Sequence, residues 1–166
     1  VGGEGSTRVV IGHDMRESSP ALSAAFADGV LAEGLDVTRI GLASTDELYF
    51  ASGFLDCPGA MFTASHNPAA YNGIKLSRAR AQGISLDTGL ASIRDRAIAY
   101  LEEGITVVDA PGSSSTRDVL ADYAQYLRTL VPLDSIETDT GRLGLIGGLH
   151  HMTRCGSTLV MRQISA

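Results

Sequence analysis

The chain has 166 residues, and 13 basic against 19 acidic groups give a net charge of −6, so one domain, or one domain with a piece of another, is expected. A hydrophobic content of 44% with mean hydropathy +0.10 is ample for a core and excludes wholesale disorder. The acidity, without any Lys/Arg cluster, argues against nucleic acid or a membrane surface as partner, and no apolar run reaches the roughly 18 residues of a membrane span.

Arg8-Val9-Val10-Ile11-Gly12 is a short β-branched run, the pattern of a strand buried on both faces. After a turn at residues 13–16, Ser18-Ser19-Pro20 opens a helix, whose apolar face is expected from Leu22, Ala25, Phe26, Gly29 and Val30, with Gly34 as its stop. Asp36 to Ile40 reads as a second strand. Ser44-Thr45-Asp46-Glu47 is a capping box for a helix running to about Ser52. Pro58 to Phe62 and Gly73 to Leu76 are further buried strands. Leu90, Ile93, Ala97 and Leu101 make an amphipathic helix ending at Gly104. Thr106 to Asp109 is a candidate edge strand, Pro111 to Ser115 a linker-like loop, and Val119, Leu120, Tyr123, Ala124 and Leu127 a last helix. This alternation predicts an α/β layered domain with a largely parallel sheet. Ligands in such sheets sit beyond the carboxyl ends of the strands, which directs attention to the loops after Ile11, Ile40 and Phe62.

Cys57 and Cys155 lie far apart with no Cys-x-x-Cys, which argues against a disulfide scaffold and for a reduced, cytoplasmic setting. From Gly141 onward there are three arginines and no acid, so the tail carries +3 and the first 140 residues −9. His150, His151 and Cys155 in that tail match no familiar zinc spacing.

The chemistry-bearing segment is Thr63-Ala64-Ser65-His66-Asn67-Pro68, followed by Tyr71-Asn72-Gly73-Ile74-Lys75. Ser65 is a hydroxyl nucleophile or phosphate acceptor, and His66 beside it a proton donor or acceptor. Asn67-Pro68 and Asn72-Gly73 mark two turns that would bring Lys75 back towards Ser65. Taken singly, each of these residues is also what a plain polar turn or a solvated strand charge would show. No Gly-x-Ser-x-Gly elbow or acid partner supports a hydrolase triad.

The whole string resembles the phosphoserine loop of the α-D-phosphohexomutases, the phosphomannomutase/phosphoglucomutase family. Upstream, Val-Ile-Gly-His-Asp-Met-Arg-Glu-Ser-Ser-Pro is similar to that family's Gly-Arg-Asp-x-Arg-x-Ser loop. The resemblance covers the family's first domain, here residues 8–131, after a glycine-rich stretch over 1–7. It implies a three-layer αβα sandwich with a mixed, mostly parallel sheet, without the helix that precedes the first strand in the family. It also implies an intramolecular phosphotransferase acting on hexose 1-phosphate or 6-phosphate through a hexose 1,6-bisphosphate. In that implied scheme Ser65 carries the phosphate, while His66 and Lys75 assist proton transfer at the sugar hydroxyl. Asn67 and Arg16 would bind substrate. Magnesium would be held through the phosphate on Ser65 and by three aspartates. Asp14 and Arg16 match motif positions, and His13 stands where the family usually has Arg.

The sequence departs from the family in two further ways. The family's Asp-Gly-Asp-Gly-Asp-Arg run, which supplies the aspartates for magnesium, does not occur in it. Residues 132–166 diverge from the family, as an altered reading frame, a gene fragment or a very diverged end would each make them. Two expectations follow from the same ancestry: a phosphoserine domain with little or no turnover by itself, or a non-catalytic remnant or binding module. Phosphate transfer to Ser65 separates them.

Overall fold

The computed structural model describes residues 5–104 and 108–130. The first strand, β1 (Arg8–His13), is followed by helix α1 (Ser19–Ala32) and by β2 (Asp36–Leu42). Next come helix α2 (Thr45–Phe54), β3 (Gly59–Phe62) and β4 (Ile74–Arg78). The two-residue β5 (Gln82–Gly83), helix α3 (Ala91–Glu103), β6 (Ser114–Thr116) and helix α4 (Leu120–Leu130) complete the order. The six strands form one sheet in the order β5-β4-β3-β1-β2-β6. The four strands β3, β1, β2 and β6 are mutually parallel, and β4 and β5 are antiparallel at one edge. The mixed, mostly parallel sheet that the resemblance implies is thus present.

Strand alternation sends the side chains of β1 to both faces. Val9 and Ile11 join Ala27, Val37, Ala60 and Phe62 beneath α1, where Phe26 meets Phe62 edge-on at 5.5 Å. Val10 joins Ile40, Leu48, Ala51, Met61 and Val119 on the opposite face, beneath α2 and the start of α4. Two such apolar layers make the three-layer sandwich. Cys57 is buried in the second layer, where burial pushes its thiol up, while Cys155 lies outside the described residues.

The capping box expected at Ser44 is formed in its main bond, the Glu47 amide donating to Ser44 Oγ at 3.1 Å. Glu47 itself is buried, and burial pushes its carboxyl up, with the Ser44 bond opposing and the charge of Asp118 adding to the rise. A carboxyl whose folded pKa is raised contributes stability at low pH that is lost as pH rises through the folded value. Glu47→Gln should therefore raise the midpoint of thermal unfolding at about pH 7, and the gain should vanish towards about pH 4. Calorimetric scans across that range check it.

Four sequence expectations need correction. The strand expected to be buried from Gly73 to Leu76 is β4, in which Ile74 is 48% exposed and only Ser77 is buried. The buried stripe of α1 is Ser19, Ser23 and Ala27, with Phe26 and Val30 beside it, whereas Leu22 is 44% exposed. The helix faces the sheet through Ala27, Phe26 and Val30, and Ser19 Oγ donates to Asp14 Oδ1 at 2.6 Å, so its first residue also faces inward. The stretch read as a linker contains β6, which pairs with β2 through Val37–Ser114, Thr38–Ser115 and Arg39–Thr116. Gly112 makes that approach feasible: its amide donates to Leu31 O at 2.9 Å, and a Cβ there would run into the Leu35 carbonyl. Gly112→Ala should cost about 1–3 kcal/mol in denaturant unfolding. Finally, α3 buries none of its residues among those described, and Leu101 is 88% exposed. The edge strand expected from Thr106 and the tail from residue 132 fall on, or largely on, residues outside the described ones.

Candidate active site

Beyond the carboxyl ends of β1 and β3 lies a cavity of about 570 Å³ lined by Asp14, Met15, Arg16, Glu17, Thr63, Ser65, His66, Asn67 and Ala69. The two loops meet there because β1 and β3 are adjacent and parallel, so their chain ends emerge side by side. The loop after β2 contributes none of these residues. A larger apolar groove, about 780 Å³, lies between α2 and α4 and is lined chiefly by aromatic side chains such as Phe50, Phe54 and Tyr123.

The loop after β3 closes on itself. The Thr63 amide donates to Gly73 O at 3.0 Å, and the Gly73 amide donates to the side chain of Asn72 at 2.8 Å. The whole stretch 63–73, and not a tight Asn72-Gly73 turn, therefore joins the antiparallel strands β3 and β4. Asn72 Nδ2 also donates to Ser18 Oγ and Ser19 Oγ, tying the loop to the start of α1.

Ser65 sits at the exposed apex of this loop with φ at +52°. A non-glycine residue in the left-handed region is uncommon and costs about 1–3 kcal/mol, so surrounding contacts must hold it there. One is local: the Ser65 amide donates to Thr63 Oγ1 at 3.0 Å. Ser65 Oγ lies 2.9 Å from His66 Nδ1, a hydrogen bond whose donor depends on the imidazole tautomer. The Asn67 side chain donates to Ala64 O at 3.0 Å, which keeps it within the loop.

Arg16 crosses from the other loop. Its Nε donates to Asp14 Oδ2, Nη1 to Pro68 O and Tyr71 O, and Nη2 to Ser65 O and Asn67 O. Asp14 is itself buried, accepting from Ser19 Oγ and the Arg16 amide as well. Burial alone would raise its carboxyl, but the hydrogen bonds from Ser19, Arg16 and Thr63, with the Arg16 charge, hold it below the usual aspartate value.

Lys75 does return with β4, but it pairs opposite Met61, inside the strand, and is not among the cavity's lining residues. His13 closes β1 with Nδ1 bonded to Asp14 O. Four of the five sequence candidates, Ser65, His66, Asn67 and Arg16, thus share one cavity. Sequence reasoning missed Thr63, Ser19 and Asn72 as parts of its frame, although Thr63 and Ser65 have the spacing at which a hydroxyl turns back to a backbone amide.

A magnesium site would need a set of oxygen ligands, mostly carboxylates. Among the described residues no group of three or more His, Cys, Asp or Glu converges. Asp14, the buried carboxylate of the cavity, is already engaged by Arg16 and Ser19. Among the described residues the donor set present does not fit a magnesium ion. No helix among the described residues is long and apolar enough to cross a membrane.

Comparison with known proteins bears on the fold and the family. The family model described as phosphoglucomutase/phosphomannomutase, alpha/beta/alpha domain I, matches residues 2–103. A phosphohexose mutase of Xanthomonas campestris pv. campestris is 53% identical over 88 residues, covering 52% of this chain and 20% of the relative. A phosphomannomutase of Vibrio cholerae is 41% identical over 120 residues, covering 72% of this chain and 25% of the relative. A crystal structure of a phosphoglucomutase/phosphomannomutase family protein from Burkholderia thailandensis superposes with a TM-score of 0.61 at 30% identity, covering 74% of this chain and 27% of that one. The chain therefore matches about a quarter or less of the length of these curated relatives.

Proposed function

Since the chain belongs to the phosphoglucomutase/phosphomannomutase family, we propose that residues 8–131 are its phosphoserine domain and that Ser65 is the residue that carries phosphate, in a cytoplasmic enzyme. The observation that carries this reading is the pairing of Ser65 Oγ with His66 Nδ1 at 2.9 Å, on an exposed apex over an open cavity. A hydroxyl nucleophile with a base in hydrogen-bond reach is the arrangement that phosphate acceptance requires.

The substrates are hexose 1-phosphate and 6-phosphate, with a hexose 1,6-bisphosphate linking them. When the bisphosphate charges the protein, the Ser65 Oγ–P bond forms as a sugar O–P bond breaks. The serine proton passes by way of His66 to the departing sugar oxygen. In the reverse transfer the sugar hydroxyl gives its proton back along the same route. Such reactions rest on positioning and charge neutralisation more than on covalent chemistry by the protein. Lys75 lies outside the cavity's lining, so the proton route passes through His66 without it. Magnesium, implied by the family, belongs to carboxylates other than those gathered at this cavity.

The 166 residues therefore hold the phosphate carrier without the family's metal-binding aspartates. Exposed to a hexose 1,6-bisphosphate, the chain should release hexose monophosphate once per molecule and then stop. No release above that of buffer would overturn the reading and favour the non-catalytic alternative. Sustained conversion of 1-phosphate into 6-phosphate would show that the chain carries the full activity.

A further inference from the structure

We propose that Arg16 is a positioning residue: it holds Ser65 in the left-handed conformation and makes no contact with the substrate's phosphate. The proposal rests on Ser65 being the phosphate carrier. A guanidinium has five N–H donors in a planar fork. In this structure five hydrogen bonds leave that group, one to Asp14 Oδ2 at 3.2 Å and four to the carbonyls of Ser65, Asn67, Pro68 and Tyr71 at 2.8–2.9 Å. None is left for an incoming phosphate, and the side chain is only 11% exposed.

The four carbonyls explain the φ of +52° at Ser65. Arg16 gathers the backbone on the C-terminal side of Ser65 into one plane of donors, while Thr63 Oγ1 fixes the amide on its N-terminal side. Asp14 anchors the guanidinium and is anchored in turn by Ser19 at the head of α1. The nucleophile's backbone is thereby tied to the rigid end of β1 and the first turn of α1, which is what precise aim at a phosphorus atom needs. A lysine, with three donors on a single ammonium, cannot serve four carbonyls and a carboxylate together.

The test uses the full chain and a hexose 1,6-bisphosphate, following phosphate incorporation at Ser65 in the unmodified protein and in Arg16→Lys. The expected result is a maximal transfer rate lower by about a hundredfold at an unchanged half-saturating donor concentration, as for lost alignment. A raised half-saturating concentration at an unchanged maximal rate would overturn the proposal, because that is the mark of a lost substrate contact. Amide exchange gives a second readout that needs no activity. The Asn67 and Tyr71 amides, bonded to Ala64 O and Pro68 O, should exchange faster in the variant while those of β1 and β3 stay protected. Unchanged loop exchange would also overturn it. If the unmodified protein takes up no phosphate, the phosphate-carrier reading fails, and the exchange result decides the clamp by itself. Should Arg16→Lys lose protection in β1 and β3 as well, Arg16→Ala with added guanidinium replaces it: restored loop protection supports the clamp, and its absence contradicts it.

Discussion

Ser65→Ala is expected to abolish phosphate uptake from a hexose 1,6-bisphosphate while leaving the fold intact. The side chain is exposed at the loop apex and its hydroxyl bonds only to the neighbouring His66 among the contacts described above, so its loss empties no core space. Phosphate incorporation followed by intact-protein mass, with far-ultraviolet circular dichroism as the control for folding, measures both halves of the claim. The φ of +52° adds a second layer. Ser65→Gly should lose phosphate uptake equally but unfold at a higher denaturant concentration than Ser65→Ala, because glycine adopts that conformation without the Cβ penalty. Equal stability of the two variants would mean that the loop is not held in the left-handed region in solution.

The second large effect is expected at Asp14. Its carboxylate and the Arg16 guanidinium are both nearly buried, with side-chain exposures of 9% and 11%. Removing one partner of such a pair leaves a desolvated charge and costs about 3–5 kcal/mol. Asp14→Ala also strips Ser19 Oγ of its acceptor, so the start of α1 should loosen together with the loop. The pH dependence has a definite sign. A carboxyl held below its unfolded value contributes stability above that value, and the contribution is lost as pH falls through the folded one. The unmodified protein should therefore lose stability as pH drops below the usual aspartate value of 3.8. Asp14→Ala should show a smaller loss over the same interval. Urea unfolding at a series of pH values tests this directly, and parallel curves for the two proteins would refute it.

Much of the fold is legible in the sequence because the strands β1 and β3 are short, mostly apolar runs buried on both faces, and such runs carry their own signal. The capping box at Ser44 is equally local and equally legible. β6 is not, because Ser114-Ser115-Thr116 is polar and exposed, and only the backbone pairing with β2 makes it a strand. Helix α1 shows a different failure. Periodicity finds an apolar stripe but does not register that Ser19, bonded to Asp14, and Ser23 lie on the buried face while Leu22 stays outside. At the site, Ser65 and His66 stand next to each other and could be read off directly. The role of Arg16 could not, since its acceptors at Ser65, Asn67, Pro68 and Tyr71 are backbone carbonyls about fifty residues away, and any residue type supplies a carbonyl.

On the proposed reading, one hydroxyl of this chain is built to carry phosphate. That reading is tested most directly by treating the unmodified protein with a hexose 1,6-bisphosphate and mapping the phosphate by fragment-ion mass spectrometry of the peptide spanning residues 63–73. The expected result is phosphate on Ser65 alone. Phosphate on Thr63, or none on this peptide while the protein remains folded, would contradict the account.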